Sequence, residues 1–155
     1  KFGLSLHPDK TRLVRFFRPG HYTPGKPETF DFLGFTHYWG KSWRGGYPIV
    51  KRRTAADRFS RGLQAIGRWC KVNRHMKVAD QHVTLCQKIQ GHIGYYGITH
   101  NGERLQEFVD KVERIWRYWL NRRNRESRMP WERFKALLGT YPLPEVRIVH
   151  SYAQN

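Results

Sequence analysis

Eight apolar residues, Leu105, Phe108, Val109, Val112, Ile115, Trp116, Trp119 and Leu120, recur three or four positions apart. That spacing gathers them into one wide stripe of an α-helix over about four turns. A stripe so broad must be covered, and two other segments carry the same period. Phe59, Leu63, Ile66 and Cys70 form the apolar line of a helix after Thr54, with Arg58, Arg61 and Arg68 on another face. Leu85, Ile89, Ile93 and Tyr96 do the same for a helix from about Val78 to Tyr96. Pro130 opens a short fourth helix whose Trp131, Phe134, Leu137 and Leu138 are expected inward. Thr54-Ala55-Ala56-Asp57 reads as a capping box for the first helix, and Asn101 as the cap of the third.

Before Thr54 the period changes. The run Thr11–Phe16 (TRLVRF) is β-prone and follows the turn-like His7-Pro8-Asp9; Arg18–Pro27 is a Pro/Gly loop. FDFLGFTHYW (Phe30–Trp39) and YPIVKRR (Tyr47–Arg53) flank GKSWRGG, which predicts an antiparallel hairpin with a basic tip. Gly34, placed within the first of these strands, marks a point where another backbone or a ligand comes close. YPLPEVRIVHSY closes the chain in extended form, because residues before proline avoid the helical region. The fold class is therefore α+β: a small antiparallel β-hairpin region over 1–53, then a three- to four-helix bundle over 54–155.

Apolar residues make up 39% and aromatics 15%, enough to build a core. Lys and Arg number 29 against 12 acids, a formal charge of +17. A small domain needs about 2–8 charges for solubility, so this excess points to a polyanionic partner, nucleic acid above all. The charge is spread: residues 1–53 carry +8, 54–100 carry +5 and 101–155 carry +4.

Catalytic chemistry has little to stand on. His92, His100 and His150 have no evident Ser or Cys partner, and Asp9, Glu28, Asp31, Asp57 and Asp80 form no close pair for two-metal phosphoryl transfer. Cys70, His75, His82 and Cys86 match no zinc spacing; Cys70, His82 and Cys86 fall at or near apolar helix faces, the cysteines read as small core thiols, and no metal site is expected. Two cysteines make no disulfide framework and suit a reducing compartment. No stretch approaches the ~20 apolar residues of a membrane span, and no membrane partner is expected.

The basic–aromatic mixtures say more. Lys41, Trp43 and Arg44 occupy the hairpin tip, where an indole between cations can stack on an unpaired base; the alternative folds Trp43 back onto the sheet. Arg122, Arg123, Arg125 and Arg128 follow the third helix in a cluster larger than its dipole requires, and guanidinium groups give bidentate phosphate contacts. Lys51, Arg52 and Arg53, and the helix-face Arg58, Arg61 and Arg68, complete the cationic candidates for RNA binding. In Gly94–Gly97 (GYYG), Tyr95 and Tyr96 point in different directions. Tyr95 joins the candidate set, with a purely structural role as the alternative.

Five stretches taken in order, GLSLHPDKT (Gly3–Thr11), FDFLGF (Phe30–Phe35), IGYYGITHN (Ile93–Asn101), WRYWLNRRNR (Trp116–Arg125) and PWERF…YPLPEVRIVHS (Pro130–Ser151), resemble the C-terminal part of bacterial group II intron-encoded reverse transcriptase/maturases. The resemblance implies that residues 1–53 end a polymerase palm, with Lys10 and Thr11 near the nucleotide and primer end. It makes Phe32, Leu33, Gly34 and Phe35 the primer grip, Gly34 leaving room for the primer 3′ end. Residues 54–155 would be the thumb, or X, domain that holds the RNA/DNA primer–template and binds the group II intron RNA in the bacterial cytoplasm. The family's Tyr-x-Asp-Asp loop, which binds Mg2+, is not in this sequence; it is expected upstream, with the fingers and the rest of the palm. No catalytic residue, metal or other cofactor is therefore expected in this fragment, nor polymerisation by it alone. The alternative is a basic DNA- or RNA-binding helical protein without polymerase context, although no helix-turn-helix or zinc-finger pattern is visible.

Overall fold

A computed structural model describes His7 and residues 11–20, 25–124 and 129–151. It is α+β, with a three-stranded antiparallel sheet, β1 (Phe30–Phe32), β2 (Phe35–Lys41) and β3 (Pro48–Thr54), in sequential order. Four helices follow: α1 (Ala56–Val72), α2 (Val78–Tyr96), α3 (Gly102–Leu120) and α4 (Trp131–Thr140).

The expected strand Phe30–Trp39 is in fact two. Phe32 pairs with Phe35, and between them Leu33 (φ 50°) and Gly34 (φ 80°) form a two-residue hairpin turn with both central residues left-handed. That is the geometry of a type I′ turn, whose first position favours Asn, Asp or Gly. A leucine there hides the turn from a reading by residue preference. Thr11–Phe16 forms no strand. Arg15 makes a single backbone bond to Glu28, and the Phe16 ring packs on Phe30 and stacks on Trp39, so it covers the sheet's face instead of extending its edge.

The bundle's core follows the apolar stripes. Trp116, Phe108, Leu105 and Val112 of α3 are buried with Phe59, Ile66 and Cys70 of α1, Leu85, Ile89 and Ile93 of α2, and Phe134 of α4. Trp131, expected inward, is 40% exposed at the first turn of α4; it meets Phe134 edge-on and carries the Arg117 guanidinium on its ring. Pro130 is the N-cap residue of α4.

Two buried amides tie the bundle together. Trp116 Nε1 donates to Gln81 Oε1 (2.8 Å), while Gln81 Nε2 lies 2.9–3.2 Å from the carbonyls of Asn73, Arg74 and Met76. One glutamine thus satisfies a core indole and braces the α1–α2 turn. Asn101 does the equivalent at the other end. Its Oδ1 accepts from Thr54 N (2.9 Å), and its Nδ2 donates to Thr54 Oγ1 (2.9 Å) and Tyr96 O (2.8 Å).

These bonds correct both expected caps. Thr54 ends β3 and does not cap α1, whose N-cap residue is Ala55 with no side-chain bond. Asn101 holds the N-cap position of α3 but its side chain makes no capping bond. In each case the polar side chain serves a contact 47 residues away in the sequence.

His92 is wedged into the core beside these elements. Its ring stacks on Phe108 (3.7 Å), tilts against Tyr96 (4.6 Å) and faces Gly62 of α1, and its buried Nε2 has no hydrogen-bond partner. Burial pulls its pKa down from 6.5 to about 4. The unfolded chain therefore takes up this proton at higher pH than the fold does. Stability is complete above about pH 6.5 and falls as pH drops toward 4. A shift of this size corresponds to about 3 kcal/mol at most, discounted to about 2 because the ring is partly screened by solvent. Urea titrations at pH 7 and pH 4.5 should display this loss, and His92→Leu should abolish most of it. An unchanged slope in that variant would remove His92 as its origin.

Candidate nucleic-acid interface

The β1–β2 turn and the helix ends facing it bring several of the candidate residues to one place. The β1–β2 turn docks on the end of α2 and the start of α1. Tyr95 Oη donates to Leu33 O (2.9 Å), and Ala55 N donates to Gly34 O (2.9 Å). Phe35 is buried, stacked on Tyr95 (5.8 Å) and edge-on to Tyr96 (5.3 Å). A Cβ at Gly34 would come 3.2 Å from Tyr96 Oη and 3.6 Å from Arg58 Cγ. The close approach that Gly34 signals is therefore made, within this chain, by Tyr96 and Arg58.

Outside this packed seam the tip is open. Phe32 is 59% and Leu33 68% exposed, and Tyr95 is exposed beside them. Arg58, Arg61 and Arg68 are exposed and fall within one arc of α1. Asp57 pairs with Arg61 and lies 3.7 Å from Arg58; the Arg61 hydrogen bond holds its carboxyl below the usual range. This one acid offsets only part of that face's charge.

The β2–β3 tip forms a second group. Lys41 and Arg44 are exposed, and Trp43, at 101%, does not fold back onto the sheet. Between the two tips, Lys51 and Arg53 share one sheet face, with Arg53 over the Tyr38 ring (5.3 Å) and the Lys51 stem across Gly40. Arg52 pairs with His37 on the other face and is half-buried. Arg53, Tyr38 and Thr36 border a cleft of about 360 Å³ whose far wall is His100, Glu103 and Arg104. His100 was not among the sequence candidates. Its left-handed backbone (φ 74°) is a conformation in which His is enriched, and burial, then Lys51 and Arg52, disfavour its protonated form.

The third group lies at the far end of the bundle. Arg122 is exposed with its guanidinium over Tyr118 (3.7 Å). Arg123 is half-buried and donates to the carbonyls of Arg74 and Met76, which puts it in the service of the α1–α2 turn. That turn is one α1 length from the Gly34 seam, about 25 Å for a 17-residue helix. The candidates therefore make three patches, not one. Thr11 is exposed and its hydroxyl donates to His7 O (2.7 Å). Lys10, Arg125 and Arg128 lie outside the described residues.

Among the described residues no three His, Cys, Asp or Glu side chains converge to hold a metal ion. Cys86 Sγ lies 3.1 Å from His82 Nε2, but that nitrogen also faces Pro142 O at 2.8 Å, and burial pushes the thiol's pKa up. The pair lacks the features of an activated nucleophile. No described helix is long and apolar enough to cross a membrane. No protein-family model, curated protein or solved structure matches this chain.

Proposed function

We propose that this chain is the end of the palm and the thumb, or X, domain of a bacterial group II intron-encoded reverse transcriptase/maturase, and that it binds group II intron RNA for splicing. In the intact protein, with fingers and palm upstream, the same surface grips the RNA/DNA primer–template. In this reading Lys10 and Thr11 serve the nucleotide end, the exposed Phe32 and Leu33 of the primer grip meet the primer while Gly34 and the buried Phe35 seat the turn, and the exposed cations meet phosphates in the bacterial cytoplasm. Polymerisation with Mg2+ belongs to the upstream palm.

The observation that carries this reading is the seam at Gly34. A bulky, exposed leucine sits in left-handed backbone, hydrogen-bonded to Tyr95 and next to the arginine face of α1. Such strain persists at ligand clamps, where the surroundings hold it in place. An apolar tip beside arginines suits a strand that offers sugars and bases on one side and phosphates on the other. The net charge of +17 and the ordered motifs support the same partner.

The test is RNA affinity against salt for the native chain and for Arg58→Ala/Arg61→Ala/Arg68→Ala. Affinity should fall steeply with salt, and the triple variant should reduce the log–log slope by about 2–3. Leu33→Asn, which suits the turn better, should weaken binding without loss of thermal stability. A flat salt response would overturn the proposal. A clear preference for duplex DNA over structured RNA would favour a basic DNA-binding protein instead.

A further inference from the structure

The β2–β3 tip is built as a platform. Ser42 N donates to Tyr47 O (2.8 Å) and Ser42 Oγ to Arg44 O (2.9 Å), closing the loop Trp43-Arg44-Gly45-Gly46 from inside. Gly45 (φ 84°) and Gly46 (φ 64°) turn the chain back, and the Tyr47 ring lies close over Gly45. The backbone is thus pinned while the largest side chain on it, Trp43, is fully exposed at 101%. Trp is a side chain that folding ordinarily covers. Along the chain it is flanked by the exposed cations Lys41 and Arg44. An apolar partner would not call for those charges; an aromatic face that carries negative charge would. A nucleobase on its phosphate backbone has both properties.

Base pairs inside a duplex have both faces taken, so the platform needs an unpaired nucleotide. It also stands well away from the α1 arginines, since β3 runs seven residues from the tip to α1, about 23 Å. A stacked strand advances about 3.4 Å per nucleotide, so about six or seven bridge that distance. We propose that the preferred ligand is an RNA duplex with a single-stranded extension. The duplex backbone lies on the α1 arginine face, and a base of the extension stacks on Trp43. This rests on the RNA-binding reading above and adds the shape of the RNA and the residue that senses it.

The experiment measures binding of the full chain, by anisotropy at one salt concentration, to a labelled blunt RNA duplex and to that duplex with two- and eight-nucleotide extensions. The eight-nucleotide RNA should bind about 5- to 150-fold tighter than the other two, the range for one stacked base. Trp43→Ala should erase that gain and change blunt-duplex affinity less than threefold. Trp43→Phe should keep most of the gain. Equal affinity for all three RNAs, or a Trp43→Ala loss that is uniform across them, would overturn the platform while leaving RNA binding in place. A gain that grows smoothly with extension length and survives in Trp43→Ala would assign it to charge alone and also overturn the proposal. Failure of all three RNAs to bind in a salt-dependent way would instead overturn the RNA reading itself.

Discussion

Asn101→Ala is expected to lower the melting temperature by about 10 °C, although it removes only a small side chain. Asn101 is fully buried where β3 ends, α2 ends and α3 begins, and it satisfies three groups: Thr54 N–H, Thr54 Oγ1 and the Tyr96 carbonyl. Alanine leaves Thr54 N–H and Thr54 Oγ1 without that partner in a site closed to water, while Tyr96 O keeps the Ile98 N–H (2.8 Å). A buried orphan costs about 1–3 kcal/mol, and their sharing of one cavity keeps the total near 3–5. For a chain of 155 residues each kcal/mol moves the midpoint by about 2–4 °C. Calorimetry of the variant measures this directly; a shift under 2 °C would mean that water or a neighbour replaces the amide. Asn101→Asp is a sharper probe. It keeps an acceptor for Thr54 N–H but turns an oxygen toward Tyr96 O, and its loss should shrink as acid protonates the carboxyl and restores a donor.

Gly97→Ala should destabilise by about 2–3 kcal/mol and release the extended C-terminal segment. The backbone conformation gives no hint of this, because φ at Gly97 is −75° and any residue adopts it. The obstacle is space. An added Cβ would stand 2.4 Å from Ile93 O and 3.0 Å from Arg147 O, both backbone atoms that cannot rotate away. Val149 N and His150 N both donate to Gly97 O (2.6 and 2.8 Å), so moving Gly97 breaks the segment's attachment to α2. Amide exchange at Val149 and His150 should accelerate along with the drop in urea midpoint. Gly94→Ala, three residues earlier, meets open space within the helix and should stabilise by up to about 1 kcal/mol. Two substitutions of the same kind with opposite signs would trace the effect to the segment's contact; matching signs would count against it.

Several elements were legible from residues alone. The expected helix Val78–Tyr96 matches α2, and the stripe from Leu105 to Leu120 is the buried face of α3. These depend on a period of 3.6 and on burial, both local properties. The hairpin around Trp43 was legible for the same reason, since alternation and glycines mark it. The turn at Leu33-Gly34 was not, because a leucine in left-handed backbone runs against local preference and is held by Tyr95, 62 residues away. Arg122 and Arg123 show the same limit. Adjacent in sequence and alike in chemistry, one is exposed over Tyr118 while the other supports the α1–α2 turn.

By itself, then, the sequence determined the α+β class, the helices and their apolar faces, and a net charge of +17. Those follow from composition and short-range spacing. The tertiary structure alone decided that Thr54 and Asn101 bond to each other instead of capping helices, that Gly34 faces Tyr96 and Arg58, and that the cations divide into three patches. A polar side chain goes to whichever partner most completely replaces its water. When that partner lies dozens of residues away, only the folded chain brings the two together.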